Sequence, residues 1–169
     1  MNMEEINEYF SQIYDQHVKK IYRFIYLKVS LIETAEDLSS EVFLRLYRHI
    51  QKNSPSIENP QAFLYQIARN VVADHYRSKK FSVVSIEKTT IEIEDVSERT
   101  REQGEISLEM DRVKQAIAQL QDDYQDLIIW RYIDELTVPE IAQITGKTED
   151  NVRVGVHRAI KALKGKVTA

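Results

Sequence analysis

Apolar residues recur at helical spacing along most of the chain, and their pattern predicts a helical N-terminal part. The first stripe predicts one or two amphipathic helices; it consists of Ile6, Phe10, Ile13, Tyr14, Val18, Ile21, Ile25 and Val29. A further helix is expected from about Leu31 to Ile50. Ser30 and Glu33 have the spacing of a capping box at its start.

Another helix is predicted after the segment QKNSPSIENP, residues 51–60, which is rich in turn residues and reads as a loop. Asn59 is suited to cap this helix and Pro60 to occupy its first position. We expect the helix to run to about Lys80. Its core face is predicted to carry Leu64, Ile67, Ala68 and Val71.

Helical periodicity stops in a connector, residues 81–106. Its segment TTIEIEDV alternates like a strand, but without a partner strand an extended, mobile acidic segment is the favoured interpretation. Helices resume near Leu108, with a stripe of Val113, Ile117 and Leu120, and then from Tyr124 to Ile133. The pattern predicts an all-α fold in which a flexible acidic linker joins two small helical domains, residues 1–80 and 107–169.

The segment TVPEIAQITGKTEDNVRVGVHRAIKALK, residues 137–164, predicts a helix-turn-helix. Thr137 and Glu140 form a capping box around Pro139, so a helix should begin near Val138. Gly146 suits the positive φ of a helix end, and Thr148 can cap the next helix.

The second helix of this motif has one apolar and one polar face. Val152, Val156, Ile160 and Leu163 are expected to face the core. The other face is typical of a helix that enters the major groove of DNA; its candidate DNA-binding residues are Thr148, Asn151, Arg153, Val154, His157, Arg158 and Lys161. An ordinary helical hairpin with a solvated basic face is the alternative.

The helix after Pro60 also carries aromatic rings among cations. Rings can stack on unpaired bases while cations follow phosphates. The candidate residues are Tyr65, Arg69, Asn70, Asp74, Tyr76, Arg77, Lys79 and Lys80. Tyrosines at this spacing are also common as half-buried packing residues, and that interpretation stays open.

The preceding helix, AEDLSSEVFLRLYRHI, has an apolar ridge surrounded by charges. The ridge consists of Ala35, Leu38, Val42 and Leu46. Such a helix can dock on a protein, and a solvated charged face is the alternative.

Charge changes this picture, because the net charge is −4, from 23 basic and 27 acidic residues. The charges are segregated: residues 61–80 are basic, and residues 86–109 contain eight acids and three bases. Non-specific DNA affinity depends on phosphate neutralisation. We therefore expect weak binding to free duplex and a partner that holds the chain on DNA.

Other classes of protein fit less well. The four histidines, His17, His49, His75 and His157, have no metal-binding spacing, and no phosphate-binding Gly loop is present. We therefore expect no cofactor, no metal and no enzymatic activity. A conventional helix-turn-helix repressor or activator remains an alternative, and a helical anti-sigma or adaptor protein is a third. The absence of Cys and of a long apolar run is consistent with a cytoplasmic protein without membrane insertion.

Taken in order, the docking helix AEDLSSEVFLRLYRHI, the helix AFLYQIARNVVADHYRSKK and the C-terminal segment from residue 120 resemble an extracytoplasmic-function (ECF) sigma factor over nearly the whole chain. The resemblance implies that the chain binds bacterial core RNA polymerase, recognises promoter DNA and helps to open it. The implied polymerase contacts are Glu36, Asp37, Leu38, Glu41, Phe43 and Arg45.

The resemblance also assigns DNA elements to segments. Loop 53–59 and the helix after Pro60 would hold the melted minus-ten strand, and helix 148–164 would read the minus-thirty-five duplex. The acidic connector would pass through the RNA exit path of the polymerase. An anti-sigma factor is the further partner expected from the family.

Three positions depart from the pattern of the family. Ser40 replaces a usual Gln in the docking helix, and Glu135 stands where Gly is common before the helix-turn-helix. Val154 and Gly155 replace a frequent Ser-Arg pair. Gly155 lowers helix propensity by about 1 kcal/mol relative to Ala, and we expect it to let the backbone approach DNA more closely.

Overall fold

The computed structural model describes residues 1–53, 57–81 and 108–167, and these residues are almost entirely helical. The N-terminal domain consists of α1 (Met3–Val29), α2 (Ile32–Asn53) and α3 (Pro60–Phe81). The C-terminal domain consists of α4 (Leu108–Ala118), α5 (Asp122–Ile128), a π-helical turn (Ile129–Ile133), α6 (Val138–Thr145) and α7 (Glu149–Val167). No strand occurs within these ranges, so the all-α prediction is confirmed. Most of the predicted connector, including its alternating segment, lies outside the described residues.

The N-terminal stripe forms a single helix of 27 residues, which begins at a capping box of Asn2 and Glu5. It ends at Ser30, whose φ of 63° is left-handed and whose N–H donates to the carbonyl of Tyr26. The predicted capping box of Ser30 and Glu33 is therefore wrong. Leu31 is the residue whose carbonyl accepts the first hydrogen bond of α2, from Ala35 at 2.9 Å.

The predicted starts of α3, α6 and α7 are confirmed. The side chain of Asn59 accepts from the N–H of Ala62 at 3.1 Å ahead of α3. Thr137 and Glu140 form the reciprocal capping box of α6. Gly146, at φ 72°, ends α6, and the hydroxyl of Thr148 accepts from Asn151 at the start of α7.

The segment predicted as one helix from Tyr124 to Ile133 differs from the prediction in two ways. It begins at Asp122, and after Ile128 it widens into a π-helical turn. The N–H of Asp134 then donates to the carbonyl of Ile129 at 2.8 Å, five residues back. A π-helical turn adds one residue to an α-helical turn, and the spacing of apolar residues in the sequence does not reveal this addition.

Buried apolar residues of the two domains form one continuous core. Its largest fully buried side chain is Trp130, from the π-helical turn. The ring of Trp130 stacks on Phe24 of α1 at a centroid distance of 5.7 Å and meets Tyr65 of α3 edge-on at 5.8 Å. The C-terminal domain is therefore packed directly against the N-terminal domain.

Candidate nucleic-acid and protein interfaces

The polar face of α7 is open to solvent. Val152 and Val156 are buried on the inner face, as the sequence predicts. All seven candidate DNA-binding residues of this segment are exposed: Thr148, Asn151, Arg153, Val154, His157, Arg158 and Lys161. Arg153 is paired with Asp150 at 2.9 Å, and the side chain at 154 is an exposed valine. The helix can enter a groove without rearrangement of the C-terminal domain.

Gly155 lies on the side of α7 that packs against α5. A Cβ atom at this position would lie 2.9 Å from Cδ1 of Leu127, which is closer than carbon atoms pack. The expectation that Gly155 brings the backbone nearer to DNA is therefore wrong. The glycine instead allows α7 to approach α5 within the core of the C-terminal domain.

Glu135 adopts the left-handed conformation that glycine favours, with φ 58°. The turn before α6 is held by two hydrogen bonds of the next residue: the N–H of Leu136 donates to the carbonyl of Trp130 at 2.8 Å, and Arg131 donates to the carbonyl of Leu136 at 3.0 Å. Although Glu135 is not glycine, the turn keeps its left-handed conformation. A residue with a Cβ atom therefore carries the steric strain of this conformation.

Two of the candidate strand-binding residues of α3 contact the C-terminal domain. Tyr65 is buried, and its hydroxyl donates to Oδ2 of Asp134 at 2.5 Å. Burial, followed by the neighbouring Asp134, raises the pKa of Tyr65, so this hydroxyl remains a donor. Arg69 lies 3.2 Å from Asp126 and over the ring of Trp130. In this arrangement both side chains are occupied by protein groups, and for Tyr65 the packing interpretation holds.

The remaining candidates on α3 are more accessible. Asn70 and Arg77 are exposed. Tyr76 is 40% exposed and donates to the carbonyl of Lys28; burial, followed by Asp122, raises its pKa. Asp74 lies 3.7 Å from Arg77 and 3.8 Å from Arg45. Lys79 is half-buried. The side chain of Lys80 and residues 54–56 of the candidate loop lie outside the described residues.

The candidate polymerase-binding helix α2 divides into a buried and an exposed face. Ala35, Val42 and Leu46 are fully buried, so three residues of the predicted ridge form core and are not accessible to a partner. Phe43 is also buried, against Tyr14. The exposed or half-buried side chains of the candidate set are those of Glu36, Asp37, Leu38, Glu41 and Arg45, with Arg45 donating to Glu41 at 3.0 Å.

Two exposed apolar side chains on the N-terminal domain were not predicted. Leu44 is 43% exposed on α2, and Tyr14 is 40% exposed on α1. Tyr14 lines a groove of about 320 Å³ between α1 and α2, which Glu36 and Phe43 also line. The signal for Leu44 is present in the sequence, because it stands out of step with the helical spacing of Val42 and Leu46.

Polar contacts between the domains were also not predicted. Asp134 accepts from Nε and Nη2 of Arg23 at 3.0 and 2.5 Å. Lys28 lies 2.5 Å from Asp126. Burial raises the pKa of Asp126, against the opposing effect of Lys28 and Arg69. Partners about 100 residues apart leave no periodic signal in a single sequence.

Two further contacts join α3 to α6. Gln61 donates to Glu140 at 2.7 Å, and Gln66 donates to the carbonyl of Ile144 at 3.0 Å. The hydrogen bond from the backbone of Thr137, followed by that from Gln61, lowers the pKa of Glu140. The helix-turn-helix is therefore attached to the candidate strand-binding helix as well as to its own domain.

The described residues contain neither a metal-binding cluster nor a membrane-spanning helix. No cluster of three His, Cys, Asp or Glu side chains in these ranges could hold a metal ion. None of the helices in the same ranges combines the length and hydropathy needed to cross a membrane.

Comparison with known proteins gives each domain a family. Residues 13–82 match Sigma-70 region 2, and residues 110–163 match Sigma-70 region 4. The chain is 36% identical over 157 residues to the ECF RNA polymerase sigma factor BldN of Streptomyces coelicolor; the match covers 91% of this chain and 58% of BldN. It is 32% identical over 164 residues to the ECF RNA polymerase sigma factor SigW of Bacillus subtilis, covering 92% of this chain and 87% of SigW.

Solved structures share the fold. The sigma factor RpoE, solved in complex with the anti-sigma factor NepR from Bartonella quintana, superposes with a TM-score of 0.70 at 20% identity, over 95% of this chain and 97% of that one. CnrH, solved with the cytosolic domain of CnrY, gives a TM-score of 0.65 at 18% identity, over 94% and 87% of the two chains. With both regions matched in order, and SigW matched along most of its length, the chain belongs to the ECF RNA polymerase sigma factors.

Proposed function

We propose that this chain is a dissociable promoter-recognition subunit of bacterial RNA polymerase, acting in the cytoplasm. Residues 1–80 bind the polymerase and the minus-ten element, residues 107–169 bind the minus-thirty-five element, and residues 81–106 connect them. The polymerase supplies the catalytic chemistry and this chain supplies recognition. The observation that carries the proposal is the exposed polar face of α7, on a domain that matches Sigma-70 region 4.

Within this proposal, α7 reads duplex DNA through residues of two kinds. Asn151 and Val154 lie near the start of the helix, where side chains reach base edges, and an exposed valine suits the methyl group of thymine. Arg158 and Lys161 lie further along and neutralise phosphates.

The N-terminal domain has two roles in the proposal. The exposed acids of α2, Glu36 and Asp37, together with the nearby groove at Tyr14, form the polymerase contact. Asn70, Tyr76 and Arg77 hold the melted strand, and Tyr65 and Arg69 join them once the C-terminal domain moves away. RpoE was solved with an anti-sigma factor, and this supports an anti-sigma factor as the second protein partner of the chain.

The test is run-off transcription on genomic fragments from the encoding organism, with purified core polymerase and the full chain. We expect the chain to bind core and to produce discrete transcripts that core alone does not produce. Neither binding nor new transcripts would overturn the proposal. Tight binding to duplex by a dimer of the chain without polymerase would favour a conventional helix-turn-helix regulator instead.

A further inference from the structure

The end of the candidate minus-ten loop is bound to the first helix of the chain. Residues 57–59 form the described end of loop 53–59 and lead directly into α3. The backbone N–H of Ile57 donates to the hydroxyl oxygen of Tyr9 in α1 at 2.8 Å. The two residues are 48 positions apart in the chain. The contact therefore joins α1 to a segment that belongs to a different part of the sequence.

Tyr9 is itself held in place by the hydrophobic core. Ile6 and Ile13, three residues before it and four residues after it, are buried, and this spacing puts Tyr9 on the same face of α1. Tyr9 and Ile57 are both partly buried and pack against the core. A tyrosine in such a position combines a ring that packs with a hydroxyl that can bind a polar group at the edge of the core. The hydroxyl therefore has a fixed position from which to hold Ile57.

The other end of this short segment is held by α3. The side chain of Asn59 accepts from the N–H of Ala62 at 3.1 Å, and its carbonyl accepts from the N–H of Phe63 at 3.0 Å. Glu58 lies between the two anchored residues, and among residues 57–59 it alone is exposed. Its backbone is thus restrained from both sides while its carboxylate faces solvent. This carboxylate stands at the start of the helix that carries the candidate strand-binding residues.

We propose that Tyr9 is a positioning residue for base selection in the minus-ten element. By binding Ile57 it fixes residues 57–59 relative to α3, and so fixes where Glu58 meets a base of the melted strand. A carboxylate accepts hydrogen bonds from the amino groups of bases, so Glu58 favours a base with an amino group over thymine, which has none. This inference rests on the proposed function and adds a determinant of its minus-ten specificity.

The position of Tyr9 in the chain makes this role additional to the family match. Tyr9 precedes residues 13–82, which match Sigma-70 region 2. The contact is therefore made by a residue outside the matched segment to a residue inside it.

The first test measures the contact itself. Tyr9→Phe keeps the ring and removes the hydroxyl, so the N–H of Ile57 loses its acceptor. In the full chain we expect amide hydrogen exchange at Ile57, followed by NMR, to become faster by about five-fold. Tyr47→Phe is the matched control, because the hydroxyl of Tyr47 also binds α1, donating to Asn7 at 2.9 Å. Exchange at Ile57 that is equal in the two variants would overturn the proposal.

The second test measures base selection. A promoter found by run-off transcription supplies the minus-ten sequence, and fluorescent single-stranded oligonucleotides carry each of the four bases at each of its positions in turn. Their affinities are measured for holoenzyme assembled from core polymerase and the full chain. At one position we expect a base with an amino group to bind more tightly than thymine. Tyr9→Phe should reduce this ratio by about five-fold, and Tyr47→Phe should retain it.

A third variant tests whether Tyr9 acts through Glu58. Glu58→Gln should reduce the same ratio at the same position. The double variant Tyr9→Phe/Glu58→Gln should reduce it no further than Glu58→Gln alone, because the two residues form one unit. A merely structural role of Tyr9 would instead lower the affinity for all oligonucleotides by the same factor. Equal losses for all four bases, or reductions that add in the double variant, would mean that Tyr9 does not position Glu58.

The outcomes also separate this inference from the proposed function. If holoenzyme containing Tyr9→Phe starts the same transcripts and keeps the base ratios of the wild type, the role of Tyr9 is wrong and the proposed function stands. If the wild-type chain neither binds core polymerase nor starts transcripts, the proposed function is wrong, and base selection at a minus-ten element fails with it.

Discussion

Glu135 is a residue with a Cβ atom in a left-handed conformation, at φ 58°, which glycine adopts without a steric penalty. Replacing it with Gly should remove the steric penalty of the Cβ atom but increase the conformational entropy of the unfolded chain. The net gain in stability is about 1 kcal/mol. We therefore expect Glu135→Gly to raise the free energy of unfolding in urea by up to about 1 kcal/mol.

Glu135→Ala is the control for this change, because it removes the same charge and keeps the Cβ atom. It should show no such gain. Equal stabilisation by both substitutions would mean that charge, and not backbone strain, governs this position.

Two histidines make the stability of the fold depend on pH. Burial, followed by Lys20 and Lys79 respectively, lowers the pKa of His17 and of His75. The folded chain therefore binds these protons less well than the unfolded chain does. The contribution of each histidine is complete above its ordinary pKa of about 6.5 and decreases as the pH falls through the lower folded value.

We expect the free energy of unfolding to fall between pH 7.5 and pH 5.5, and to fall less in the double variant His17→Gln/His75→Gln. His157→Gln, at an exposed position of α7, should retain the full decrease. If the double variant retains it too, these two histidines do not account for the pH dependence.

At the scale of the elements, the proposed function gives α3 and α7 different roles: α3 holds the melted strand and α7 reads the upstream duplex. Arg158→Ala and Lys161→Ala should each weaken binding of holoenzyme to upstream duplex and reduce its salt dependence by about one phosphate contact. Tyr76→Ala, on an exposed part of α3, should mainly slow promoter opening.

Filter binding to an upstream duplex fragment and permanganate reactivity of the melted region measure these two steps separately. Gln143→Ala, at an exposed position of α6, is a control for surface truncation in the same domain. Equal losses of all three variants in both assays would contradict the division between the two helices.

The sequence predicted those elements that depend on interactions between residues close together in the chain. Helical periodicity located the helices, and the Thr137 capping box, Gly146 and Thr148 correctly bounded the helix-turn-helix. Ser30 misled the prediction, because a residue suited to cap α2 instead ends α1 in a left-handed conformation. The π-helical turn was missed because one inserted residue hardly alters an apolar pattern.

The candidate sites were less predictable, because burial of a side chain depends on distant partners. Tyr65 and Tyr76 read alike in the sequence, yet Tyr65 is buried beneath Trp130 and Tyr76 is partly exposed. Phe43 and Leu44 are neighbours, and it is Leu44 that faces solvent. The packing of the C-terminal domain against α3 separates the two tyrosines, and the packing of α2 against α1 separates Phe43 from Leu44.

At the scale of the whole molecule, the docked arrangement cannot span a promoter. Elements at minus ten and minus thirty-five lie about 25 base pairs apart, which is roughly 85 Å at the 3.4 Å rise of B-DNA. In the structure α3 lies directly against α6, and the side chain of Gln66 donates a hydrogen bond to the carbonyl of Ile144. Simultaneous reading of both elements therefore requires the domains to separate.

Energy transfer between dyes at Glu8→Cys in α1 and Gln119→Cys after α4 measures this separation most directly, since both positions are exposed. The account predicts high transfer in the free chain and a large decrease when core polymerase and a promoter fragment are added under conditions that yield transcripts. Unchanged high transfer in a transcribing complex would contradict the claim that the two domains read two promoter elements at once.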